Sequence, residues 1–343
     1  MNPDISTTDR SERDLSSSTL VVGLGVLSAL LFLVSLAVGY VPLNVVSALS
    51  DVVSGLDTVG ALVLVELRLP RALLGLMVGF SLGATGAALQ GLLRNPLADP
   101  GVMGVSGAAA LGAVVAFYWG LAGALSIGLA LGGLAGAGLA TAALLLLARQ
   151  GAGTTALILA GVAIGSLSGA LTALALNLSP SPYAVMEVVF WLMGSLADRS
   201  LDHVLLAIPF MAVGWFLLLG AGRGLDALSL GEETAQSLGF DVMRLRVRLV
   251  LASAFAVGSA VAVSGAIGFV GLVVPHVLRP FVGHRPGPLV LASGLGGAVL
   301  TSAADILVRV LPTQPELKLG VVTAIIGAPF LFSLLWRMRG EVE

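Results

Sequence analysis

The chain has 343 residues, 57% hydrophobic, 10% charged and 6% aromatic, with a formal net charge of −2. Soluble domains carry about 25% charged residues, and single soluble cores stop growing near ~250–300 residues. These values exclude a soluble globular protein and leave an all-α, polytopic membrane protein. The 45 glycines follow no G-X-Y period, which excludes collagen, and the negative balance argues against nucleic acid as a partner.

In chain order, residues 1–19 are polar and mixed in charge and read as a short disordered cytoplasmic tail. Charge-free stretches then place ten segments, at about 20–41, 69–93, 104–119, 124–148, 155–178, 203–220, 246–266, 268–280, 287–310 and 319–336. A spanning helix needs ~20 apolar residues. The stretch 100–148 therefore holds two segments with a turn near Gly120–Gly123, and 249–278 holds one full span and one short or broken one. The first segment has no small-residue cleavage site and reads as a retained span rather than a secretory signal. Residues 20–338 form one transmembrane domain, followed by a cytoplasmic tail at 339–343.

The basic residues set an orientation. With the N-terminus in the cytoplasm, Arg10, Arg13, Arg94, Arg149, Arg223, Arg244, Arg246, Arg248, Arg279, Arg285, Arg337 and Arg339 lie inside, and Arg68, Arg71, Arg199, Arg309 and Lys318 outside. That excess of positive charge is in the required direction, with both termini cytoplasmic. Small residues recur at every fourth position in Gly79/Gly83, Gly128/Gly132/Gly136 and Gly161/Gly165/Gly169. Lipid supplies no hydrophobic drive between helices, so such faces pack by close backbone approach.

Two stretches echo one another. From Arg71 the chain runs to Gly86-Ala87-Ala88, Pro96 and Ser106-Gly107; from Arg248 it runs to Gly265-Ala266-Ile267, Pro275 and Ser293-Gly294. The starting spans are five apart and cross in opposite senses, the inverted repeat of many transporters. Their interrupted segments, 95–101 and 268–275, then mark the pathway.

Chemistry-bearing residues are sparse. Cysteine is absent, which removes disulfides, thiolate metal sites and cysteine nucleophiles. Lys318 is the only lysine and is followed by Leu319-Gly320, so no phosphate-binding loop of the Gly-Lys-Ser/Thr kind exists. His203, His276 and His284 are too scattered for a metal cluster and read as boundary or packing residues. Asp305 sits one turn from Arg309, Asp99 lies in a proline-rich break and Glu187 in an outer segment, so no convincing carboxylate serves a proton route at mid-depth. The connection 221–245 holds Ser229 to Gly239, with a possible N-cap at Ser229, acidic residues after it and Gly239 at C′. It reads as a short helix over about 229–239, either a capped connector or a docking helix for a partner that delivers work.

Leu67-Arg68-Leu69-Pro70-Arg71, the run from Gly86 through Arg94-Asn95-Pro96-Leu97-Ala98-Asp99-Pro100, and Gly104-Val105-Ser106-Gly107 resemble the FecCD-type permeases of iron-complex and cobalamin ABC importers. So do Leu230-Gly231-Glu232-Glu233 with Ala235 and Leu238-Gly239, Ser264 through His276, Ala304-Asp305-Ile306 and Gly320 through Pro329. The resemblance covers residues 20–338. It implies a ten-helix subunit, without an ATP-hydrolysing site or cofactor of its own, that pairs as a homodimer around a pathway in the inner membrane. Two cytoplasmic ATPase subunits, which bind ATP and Mg, dock below, and a periplasmic or surface binding protein delivers substrate.

By the same resemblance Leu230, Gly231, Glu232, Glu233, Ala235, Leu238 and Gly239 form the ATPase-docking segment, with Gly231, Glu232, Ala235 and Gly239 facing the partner. Asn95, Leu97, Thr154 and Thr155 narrow the pathway at its cytoplasmic end. Arg68, Arg71 and Arg309 meet glutamates of the binding protein, Arg68 and Arg71 projecting near the membrane surface beside Pro70. The substrate implied is haem or another iron chelate, haem first because Leu92–Ala113 most resembles haem permeases. The alternatives are a ferric-siderophore or cobalamin importer and, in a different class, an ion-coupled secondary transporter.

Overall fold

The computed structural model describes residues 5–120, 127–150, 153–179, 181–313 and 315–339, and among these every regular element is helical. In chain order they are α1 (Ile5–Ala37), α2 (Val45–Val53), α3 (Val59–Leu93), α4 (Val105–Tyr118), α5 (Gly128–Arg149), α6 (Thr154–Asn177) and α7 (Pro182–Leu192). There follow α8 (Leu201–Leu219), α9 (Gly222–Ser229), α10 (Glu232–Ser237), α11 (Val242–Ser264), α12 (Val270–Leu278), α13 (Pro286–Val310) and α14 (Leu319–Arg339). Seven are long and apolar enough to cross a membrane: α1 through Ser17–Ala37, α3, α5, α6, α8, α11 and α13. The protein is an all-α, multi-pass membrane protein.

Two helix starts differ from expectation, and one helix is new. Helix α1 starts at Ile5, not near residue 20. No proline or glycine falls between Pro3 and Gly23, and adding residues to an existing helix is cheap once its nucleus is set, so the polar segment continues the span instead of being disordered. Helix α3 starts at Val59, not 69, and runs through Pro70 by way of a π-turn at Val63–Arg68. A π-turn shifts the hydrogen-bond frame, which accommodates the donor that proline lacks. Helix α2 was not expected at all. The turn expected near Gly120–Gly123 begins at Gly120, and its remaining residues lie outside the described ones.

Helix α3 is the hub. Its most apolar stretch is 78% buried, against 11% for α1 and 17% for α6. Its principal partner is α13, and the contact depends on glycine. A Cβ on Gly83 would overlap the Ser293 carbonyl oxygen, and one on Gly297 would overlap that of Gly79. Helices α4 and α5 repeat the device, Gly132 and Gly136 lying against the carbonyls of Gly112 and Ala108. On α6, Gly161 meets Gly104, whereas Gly169 faces open space because α6 stands at the bundle's edge. Gly83→Ala is therefore expected to cost about 1–3 kcal/mol by overpacking. Gly138→Ala, where a Cβ meets nothing within 4 Å, should be silent. Thermal unfolding in detergent distinguishes the two.

Candidate functional site

At the end of the bundle where α1 stops, three arginines and two acids form a buried rim. The last carbonyls of a helix have no intrahelical partner and carry its negative dipole end. Arg68 Nη1 donates to the carbonyls of Leu36 (2.7 Å) and Ala37 (2.8 Å), and Nη2 to that of Val41. Arg309 Nη1 donates to the carbonyls of Ser35 and Val38, both at 2.9 Å, while its Nη2 pairs with Asp305 Oδ2 at 2.8 Å. Two guanidinium groups from α3 and α13 thus cap α1. Arg71 holds two acids: Nε and Nη2 reach Asp305 Oδ1 at 3.0 and 2.8 Å, and the same guanidinium pairs with Glu316 on the connection to α14. Lys318 lies 5.5 Å from the Phe190 ring, tying that connection to α7.

The expectation that Arg68 and Arg71 project at the membrane surface is corrected. Arg68, Arg309 and Asp305 are buried, and the Arg71 side chain is 12% exposed. Burial is tolerable because each guanidinium finds acids or orphan carbonyls. Glu316 was missed from sequence. Its signal was an acid in the proline-bearing loop Leu311-Pro312-Thr313-Gln314-Pro315, close in sequence to Arg309.

Between the two ends, the interrupted segments meet. After α3, Arg94 takes a left-handed conformation (φ 49), and Asn95 Oδ1 accepts from Leu97 N at 2.9 Å. Asp99 Oδ1 accepts from Gly101 N at 2.8 Å and caps a 3-10 turn at Pro100–Met103; burial raises its carboxyl above the usual range, the Gly101 bond opposing. The second break follows α11 at Gly265 and ends at Phe269 (φ 68). A Cβ on Gly271 would press on Pro100, so the breaks touch. Gln90 of α3 holds the second of them, accepting from Arg279 Nη2 at 2.6 Å and donating to the carbonyls of Gly271 and Leu272 at 3.4 Å. Beside them lie a cavity of about 190 Å³ that includes Asp99, Ser106 and Gly268 in its wall and an open apolar groove of about 680 Å³ along Met193, Ala266, Gly320, Ala324 and Ile325.

The other end carries α9 and α10. The expected single helix over 229–239 is two: Ser229 closes α9, Gly231 turns the chain with φ 117, and α10 follows from Glu232. Gly239 (φ 85) stands just past its end, as expected. Ala235 is 1% exposed and packs into the bundle, so it does not face outward. Leu230 and Leu238 do, at 65% and 59% exposure; Gly231 is half-buried, and Glu233 and Gly239 are exposed. Glu232 pairs with Arg246 of α11, and Asp226 of α9 accepts from Gly287 N at 2.7 Å and pairs with Arg285 at the start of α13. Asn95 and Thr155 are exposed and Leu97 half-buried, while the Thr154 side chain lies outside the described residues. His203 contacts Ser200 Oγ in the α8 cap, and His276 packs edge-on to Phe330.

This arrangement has known counterparts. Residues 27–337 match the FecCD transport family. The chain is 41% identical over 330 residues to the vitamin B12 import system permease protein BtuC of Vibrio cholerae serotype O1, covering 96% of each. It is 38% identical over 284 residues to the hemin transport system permease protein HmuU of Yersinia pestis, covering 80% of this chain and 84% of that one. A solved structure of a metal-chelate type ABC transporter in an inward-facing conformation superposes with a TM-score of 0.81 at 31% identity, over 93% of this chain and 99% of the other. The chain belongs to the FecCD transport family. It is a permease subunit of an ABC importer, a multi-pass membrane protein of a family whose permeases carry no ATPase activity.

Within the rim, Asp305→Asn should be the costliest single change, because it strips a buried acid from Arg71 and Arg309; breaking such a pair costs ~3–5 kcal/mol. Glu316→Gln, on a partly exposed loop, should cost clearly less. Equal losses in a thermal-unfolding comparison would contradict the central place of Asp305.

Proposed function

We propose that this chain, as a homodimer, forms the pathway of an importer for a cobalamin-type metal chelate. Its orientation is that expected from the arginine bias: both termini and the α9–α10 end are cytoplasmic, the arginine rim is outer, and ten crossings form an inverted repeat. The match to a vitamin B12 permease along 96% of both chains carries the substrate reading. Haem is the second reading, favoured by the Yersinia relative, whose match covers less of this chain. The apolar groove suits a bulky ligand, since a pathway must bind weakly enough to release. Uptake of labelled cobalamin by cells expressing the complete system, competed by excess haem or ferric siderophore, tests it. Competition by unlabelled cobalamin alone supports the first reading; uptake of haem without uptake of cobalamin overturns it.

Two cytoplasmic ATPase subunits dock on the α9–α10 end, and Leu230 and Leu238 are the anchors this reading favours. Exposed leucines beside Glu232 and Glu233, outside any span, mark a protein-binding patch. The Glu232–Arg246 pair then carries force into α11, which leads to the second break. An external binding protein docks on the rim that Arg68, Arg71 and Arg309 hold in shape. Asn95, Leu97, Thr154 and Thr155 narrow the cytoplasmic end about the dimer axis. Leu238→Asp should abolish co-purification of the ATPase subunit while the permease elutes unchanged on gel filtration. Retention of the ATPase subunit by that variant would remove Leu238 from the interface.

A further inference from the structure

Helix α2, between α1 and α3, has a nine-residue sequence with an apolar face flanked on one side by serines. Ala48 is buried. Val46 (80% exposed), Leu49 (55%) and Val53 (82%) stand open on one face at spacings of three and four, with Val52 at their edge. Ser47 and Ser54 lie ~100° or more round the helix from the centre of that face, while Ser50 borders Val46. The single charge on the helix, Asp51, accepts from Thr58 Oγ1 at 2.8 Å and so turns toward the start of α3. An open apolar face of this kind is not left to water.

Its height in the bundle is fixed by Arg68. One guanidinium grips the carbonyls of Leu36 and Ala37 at the end of α1 and also that of Val41, three residues before the Asn44 cap of α2. The entry to α2 is therefore held level with the end of the apolar run Ser17–Ala37, whose 21 residues match a hydrocarbon core of ~30 Å. That level is the membrane boundary. Exposed apolar side chains continue from α2 onto Val59 and Leu62 of α3, and the exposed Tyr40 sits at the junction, a residue type of interfacial belts.

We infer that α2 is an interfacial anchor whose Val46, Leu49 and Val53 insert into the headgroup–acyl boundary of the bilayer, so that the occupant of this face is a lipid surface. The leaflet is the outer one in the orientation proposed above, but the insertion itself does not depend on that orientation. Helix α2 carries no lysine or arginine, so insertion rests on apolar burial and needs no anionic lipid.

The cysteine-free chain makes the test direct. Val46→Cys, Leu49→Cys and Val53→Cys are spin-labelled singly in the full-length protein, with Ser47→Cys and Ser54→Cys as controls from the polar side. Each is reconstituted into phosphatidylcholine vesicles with or without phosphatidylglycerol. Collision with oxygen should exceed collision with a water-soluble nickel chelate severalfold at 46, 49 and 53 and fall below it at 47 and 54, equally in both lipids. Nickel exceeding oxygen at all five positions would put α2 in water and overturn the inference. Shielding of 46, 49 and 53 from both reagents would mean that a second copy or another protein covers the face. A contrast appearing only with anionic lipid would overturn insertion by apolar burial.

Discussion

The structure depends on one steric constraint, the near-contact of the α3 and α13 backbones at Gly79, Gly83, Ser293 and Gly297. In a bilayer, leucine surfaces gain nothing by leaving lipid, so helices associate only where backbones come close enough for dense van der Waals contact. That crossing makes α3 the hub and fixes the spacing of everything attached to it. With α3 and α13 side by side, Arg71 reaches Asp305 across the gap, and Arg68 and Arg309 close on the end of α1 from both sides. Toward the other end, Gly86 lets the Gly271 backbone approach α3, and Gln90 then holds the second broken segment to it.

The same crossing explains how peripheral parts can act on the pathway. Helix α10 is tied to α11 by Glu232–Arg246, and α9 to the start of α13 by Asp226. Helix α11 contains a π-turn at Ala254–Gly258 and ends at the Gly265 break, beside the apolar groove. If ATPase subunits dock at the α9–α10 end as proposed, their work meets a stiff hub on one side and an interrupted helix on the other, and the interrupted helix is the part to yield.

How much of this was legible in the sequence differs by feature. The spans were legible because apolar length is set by bilayer thickness, and the glycine faces because only small residues permit close approach. The start of α3 was not, since Glu66, Arg68 and Arg71 break the charge-free stretch and only the fold shows that Arg68 and Arg71 are buried among partners. Arg68 looked like a surface group because its acceptors are main-chain carbonyls, which leave no trace in residue identity. Ala235 was placed outward by the resemblance alone, and only the fold shows that it packs inward. Helix α2 escaped notice as nine residues interrupted by serines and Asp51. The short helix near 229–239 and both interruptions were legible from their long motifs, although their contacts with one another were not.

The central claim is that this subunit moves substrate only when separate ATPase subunits drive it. The most direct measurement is uptake into proteoliposomes carrying the purified permease, with and without its ATPase subunits, under an imposed proton or sodium gradient and with ATP enclosed in the lumen facing those subunits. The account predicts accumulation only when both the ATPase subunits and ATP are present, with no dependence on either gradient. Accumulation by the permease alone in response to a gradient would contradict it and make the chain a secondary transporter.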